Sequence, residues 1–162
     1  MRAFVVDVNV AIVANGHSPQ ADDDCILACI DALETIHRDG MIVLDDDMRI
    51  LSEYMRHLQM GGQPSLGDLF MKWVWENQAV PSRCERIALL RRDEDQEDFD
   101  VFPDDVDLRG FDPSDRKYVA VALASWNRPE VLNAVDSDWW HYRTALRRNG
   151  VRLRFVCPQH MR

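Results

Sequence analysis

Short apolar runs alternate along the chain with stretches whose apolar residues recur every three or four positions. Ala3-Phe4-Val5-Val6 is a strand-length run that ends on Asp7. After Asp22-Asp23-Asp24, the residues Cys25 to Leu33 repeat at helical spacing, and a loop is expected between that helix and the strand. Gly40 stops the helix, and Met41-Ile42-Val43-Leu44 predicts a second buried strand. Asp45-Asp46-Asp47 stands where it can cap a helix bearing Ile50, Leu51, Tyr54 and Leu58. Gly61-Gly62-Gln63-Pro64-Ser65 breaks the chain before a stripe of Leu66, Leu69, Phe70, Trp73 and Val74, and the helical reading continues through Cys84 to Leu90.

From Arg91 to Asp107 periodicity fades, and Asp93-Glu94-Asp95-Gln96-Glu97-Asp98 reads as a solvated loop or weak edge segment. Asp112-Pro113-Ser114-Asp115 then opens a helix through Ser125, with Asp112 at the cap and Pro113 at the first helical position. Val131 to Asp136 predicts a strand and Trp139 to Asn149 a helix ended by Gly150. Val151 to Cys157 largely alternates, as an edge strand before Pro158 does. Strands interleaved with helices predict an α/β fold, a three-layer α/β/α sandwich around a mostly parallel sheet. At 162 residues and 46% hydrophobic content, one domain over 1–162 is expected, with a helical and acidic insertion around 61–110.

A net charge of −9 argues against a generic nucleic-acid coat, which needs a basic footprint. The charge is uneven, however: no acid follows Asp138, whereas Arg143, Arg147, Arg148, Arg152, Arg154 and Arg162 do. The four cysteines, Cys25, Cys29, Cys84 and Cys157, lack a Cys-x-x-Cys pair or zinc-finger spacing, so buried thiols are expected rather than a thiol-bound metal. Apolar runs such as Tyr118 to Ala124 fall far short of the ~20 residues that span a bilayer. Asp7 interrupts any secretory segment, so a cytoplasmic protein without membrane contact is expected.

The candidate chemistry is acidic. Ligands of open parallel sheets collect beyond the carboxyl ends of the strands, where Asp7 and Asp136 are expected. An ionised carboxylate at the end of a buried strand is costly unless a cation or hydrogen bonds offset it. Asp115 falls in the first turn of its helix, with Asp112 at the cap, and Glu53 lies at the margin of a buried face. Scattered carboxylates of this kind suit Mg2+ or Mn2+, which prefer oxygen ligands. Asn9 can position Asp7 or a phosphate, or stabilise a local turn. Trp73, Trp75, Trp126, Trp139 and Tyr142 could stack on unpaired bases, although Trp73 and Trp139 fit core positions better. The five histidines form neither a His-Glu-x-x-His pattern nor a recognisable nucleophile triad.

Asp7-Val8-Asn9-Val10 after an N-terminal strand resembles the Asp-x-Asn opening of PIN domains, and Ile50-Leu51-Ser52-Glu53-Tyr54 resembles their second acidic motif. Phe111 to Ala124, containing Asp112 and Asp115, is similar to the third motif, and Leu132 to Trp139, containing Asp136 and Asp138, to the fourth. The order agrees, although Ala134 stands where a threonine is common. The resemblance implies a metal-dependent ribonuclease of the kind found as the toxin of toxin–antitoxin pairs, or a non-catalytic PIN-like binding module. It implies Mg2+ or Mn2+ as cofactor, with Asp7, Asp115 and Asp136 as ligands and Glu53 completing the catalytic set. Asn9, Asp112 and Asp138 would support them, and Arg116 and Lys117 would grip substrate phosphate. Implied partners are RNA, an antitoxin protein and a second copy of the chain. A phosphatase of the haloacid dehalogenase type is disfavoured, because Asn9 replaces the second aspartate of that family's opening motif and a neutral amide cannot act as its acid/base.

Overall fold

The computed structural model of the chain describes residues 1–92 and 97–161. Most of the acidic run, 93–96, and Arg162 lie outside the described residues.

A five-stranded sheet organises the molecule, and every pairing in it is parallel. Its strands are β1 (Arg2–Val6), β2 (Gly40–Asp45), β3 (Cys84–Ile87), β4 (Glu130–Asn133) and β5 (Arg152–Phe155), in the spatial order β3-β2-β1-β4-β5. Helices α1 (Val8–Ala14), α2 (Asp23–Asp39), α3 (Arg49–His57), α4 (Leu66–Asn77), α5 (Arg116–Ala124), α6 (Ser137–His141) and α7 (Arg143–Arg148) flank it. Parallel strands need crossover connections, which is why helices intervene between them. Val5, Val6, Val131 and Leu132 are fully buried at the sheet's centre, as expected for strands covered by helices.

From β1 the chain builds outward through β2 to β3, then returns to add β4 and β5 on the other side. The order therefore reverses between β1 and β4, leaving a crevice at their carboxyl ends where ligands of such sheets bind.

Three elements differ from the sequence pattern. Helix α1 begins directly after Asp7, where a loop was expected; its apolar face packs on α2 and α4 and overrides the weak helix propensity of its valines. Gly67 permits that closeness, since a Cβ there would stand 2.1 Å from the Ala11 carbonyl oxygen. Cys84 to Ile87, expected as helix, is edge strand β3, which shows that part of 61–110 belongs to the sheet. A four-residue run is too short for periodicity to separate the two. The expected 139–149 helix is split at Tyr142 into α6 and α7.

The cysteines also differ from the expectation of buried thiols. Cys25, in the first turn of α2, is disulfide-bonded to Cys157 beyond β5, across 132 residues; Cys29 and Cys84 remain buried thiols. No described helix is long and apolar enough to cross a membrane.

Candidate metal centre

Asp7, Asp115 and Asp136 meet at the crevice, each offering a carboxylate oxygen within 4.8 Å of the others. They border a cleft of about 430 Å³ whose wall also includes Asn9, Glu53 and Asp112. Asp7 leaves β1 and caps α1, Asp136 caps α6, and Asp115 closes a turn of 3-10 helix that leads into α5. Three separate strand-helix units thus supply one acidic cluster.

Asp7 is held on both oxygens. Its Oδ1 accepts the Asn9 amide N–H at 3.0 Å, and its Oδ2 accepts the side-chain amide of Asn133 at 3.2 Å. Asn133, fully buried at the end of β4, uses its own Oδ1 to accept the Asp136 N–H at 3.1 Å. One amide therefore fixes the spacing between two of the acids. Asn9 does not face a phosphate site with its amide oxygen; that atom accepts the Ala134 N–H at 2.8 Å and ties the end of β1 to the segment after β4. Asp138 is half-buried and donates its N–H to Asp136 Oδ1 at 2.9 Å. Asp112 is exposed and accepts from the amide and hydroxyl of Ser114, and its charge falls on both Asp115 and Asp136.

Burial and mutual repulsion push these acids up. Burial raises Asp7 to about 7, with Asp136 and Glu53 adding to the rise and the Asn9 N–H opposing it. Burial, then the charges of Asp7 and Asp136, carry Asp115 to about 8. Asp136 is raised too, chiefly by burial and then by Asp138 and Asp112. Two carboxylates 4.8 Å apart repel by roughly 3 kcal/mol at an effective dielectric of about 20, so full ionisation at neutral pH needs a cation between them. All-oxygen donors with unmet negative charge fit a hard divalent ion such as Mg2+ or Mn2+.

This has a thermodynamic consequence. Acids whose folded pKa exceeds the unfolded value contribute stability that is fully present below the unfolded pKa, 3.8 here, and lost as pH rises through 7 to 8. In chelator, unfolding free energy is expected to fall by at least about 4 kcal/mol between about pH 5 and about pH 8.5, and millimolar Mg2+ or Mn2+ should restore it. Denaturant titrations at stepped pH, with and without the ion, would measure this. A profile that is flat in chelator, or unmoved by either ion, contradicts the electrostatic account.

Glu53 reaches the cleft wall but is already engaged. Its Oε2 accepts Lys117 Nζ at 3.0 Å, its Oε1 accepts the Tyr118 hydroxyl, and Arg56 lies 3.6 Å away. Lys117 also donates to the Ser114 carbonyl and is buried, which makes it an internal counter-ion to Glu53. Arg116 likewise turns inward, 3.4 Å from Asp98 and stacked over Phe102 at 4.9 Å. Both cations are therefore paired within the protein, Lys117 with Glu53 and Arg116 with Asp98.

Asn133, Tyr118 and Tyr54, whose hydroxyl donates to the Val6 carbonyl, were not singled out by the sequence. A polar residue inside the otherwise apolar run Val131 to Val135 is the one signal that could have pointed to Asn133. Of the aromatic candidates, Trp73 and Trp139 are core, whereas Trp126 is 95% exposed. No family model, no curated protein and no solved structure matches the chain.

Proposed function

We propose that the chain is a metal-dependent endoribonuclease with a PIN-like, three-layer α/β/α architecture. The observation that carries this reading is the convergence of Asp7, Asp115 and Asp136 within 4.8 Å at the reversal point of a parallel sheet. Asp7 is the central ligand, since both of its oxygens are oriented by amides, and Asp115 and Asp136 complete the donor set. Mg2+ or Mn2+ held there would activate water and neutralise charge developing on a phosphodiester. Asn133 and Asn9 keep the acids in register, and Asp112 and Asp138 deepen the negative field that draws the ion in. RNA as the substrate, and an antitoxin protein covering the cleft, follow from the resemblance of the four acidic motifs to toxin-type PIN domains.

A second reading, a non-catalytic PIN-like binding module, is favoured by the capture of Glu53 by Lys117 and Tyr118, which leaves three acids free instead of four. End-labelled RNA incubated with the purified chain separates the two. Cleavage in Mg2+ or Mn2+ that stops on chelation is expected. Calorimetric binding of the ion with intact RNA would leave the binding module as the function.

A further inference from the structure

On α2 and the segment beyond β5, outside the lining of the acidic cleft, three sulfurs gather. Cys25 and Cys29 are four residues apart on one face of α2, and Cys157 arrives from beyond β5. All three are fully buried, and their sulfurs lie within 4.8 Å of one another. Cys29 Sγ stands 3.9 Å from Cys157 Sγ. Two thiolates that share one ion through bonds of about 2.3 Å are separated by about 3.8 to 4.0 Å, the edge of a tetrahedral or trigonal thiolate site. Cys29 thus already holds the spacing to Cys157 that a metal would require, without belonging to the disulfide.

We propose that Cys25, Cys29 and Cys157, once reduced, form a three-thiolate site for a soft thiophilic cation of the Zn2+ or Cd2+ class, so that the tether between α2 and the C-terminal segment exists in two chemical forms. In the oxidised form the Cys25–Cys157 disulfide is the tether. A dithiol reductant breaks that bond by exchange, delivers two electrons and two protons to Cys25 and Cys157, and leaves as its own disulfide. The cation then displaces the protons of all three thiols and bonds to their sulfurs.

Physical chemistry favours such an ion over free thiolates. Three sulfurs packed together in an apolar interior have no counter-charge that would hold them as thiolates in the absence of a cation. Cys25 sits in the first turn of α2, where the helix dipole stabilises a thiolate. Sulfur donors select soft ions, whereas the all-oxygen cluster at Asp7 selects hard ones, so the two sites do not compete for the same metal. Three sulfurs leave one position of a tetrahedral ion to a small ligand such as water, and full burial keeps larger ligands out.

The test uses the whole chain, reduced with a dithiol, desalted under argon and titrated with CdCl2. The expected result is sulfur-to-cadmium charge-transfer absorption that saturates at a single ion per chain, with a rise in thermal midpoint. Oxidised wild type should show no such absorption. Cys29→Ser should lose it, or bind at least tenfold more weakly, while its oxidised form melts like oxidised wild type. Cys84→Ser should behave as wild type, since Cys84 lies outside the cluster. Absence of the band in the reduced wild type overturns the proposal. So does Cys29→Ser binding as tightly as wild type, or an equal band in the oxidised chain. Cys29→Ala serves in place of Cys29→Ser if the serine variant fails to match wild type when oxidised. None of these outcomes depends on RNA cleavage.

Discussion

Replacing Asp115 by Asn is expected to lower Mn2+-dependent RNA cleavage by at least about 100-fold while making the metal-free protein harder to unfold near pH 8. Both effects come from one carboxylate. Asp115 is buried, its carboxylate has no hydrogen bond among the described residues, and the charges of Asp7, Asp136, Asp112 and Glu53 all oppose its ionisation. An amide keeps the shape and removes the charge. The repulsion between acids is then relieved, by about 2 kcal/mol, or roughly 5 °C in midpoint for a chain of this size. The same change removes a cation ligand, so added Mg2+ or Mn2+ should stabilise the variant much less than wild type. Cleavage assays and melts in chelator decide it. Activity that survives takes Asp115 out of the proposed mechanism, and a variant that melts lower in chelator refutes the claim that the cluster is strained.

Lys117→Met should act in the opposite direction, destabilising the protein by about 3 kcal/mol, because it leaves the Glu53 carboxylate buried without its nearest cation. The Tyr118 hydroxyl and Arg56, 3.6 Å away, compensate only in part. Removing both charges should be far milder: Lys117→Met with Glu53→Gln is expected to recover most of the loss, since a buried pair replaced as a unit costs little. Urea titration of the two single variants and the double variant completes the cycle. A loss under about 1 kcal/mol for Lys117→Met, or a double variant no better than the single, shows that the pair is not what holds this region.

Periodicity carried much of the fold. The apolar runs at Phe4 to Val6 and Ile42 to Leu44 needed little context to be seen as strands, because strands buried on both faces are apolar throughout. Helix α1 was hidden for the same reason: Val8 to Ala14 continues the apolar run of β1, and only packing against α2 and α4 makes it helical. Strand β3 was hidden by its length. At the site, Asp7 and Asp136 were legible as carboxylates following buried strands, and Asp115 as an acid in a first turn. The pairing of Glu53 with Lys117 was not, because the two are 64 residues apart and lie in different helices, α3 and α5. The disulfide had no local signal either, since 132 residues separate its halves and only the sheet topology brings them together.

The central strand of the sheet, β1, is made first and finds its second neighbour, β4, only at residues 130–133. The acids of the cleft stand at positions 7, 115 and 136 of 162. During synthesis Asp7 therefore emerges more than a hundred residues ahead of Asp115 and Asp136, and the cluster cannot assemble until both have followed. A fragment that stops before residue 133 contributes neither the third carboxylate nor the Asn133 clasp that sets its distance from Asp7. Emergence of Asp136 thus sets the earliest moment at which the cleft is complete.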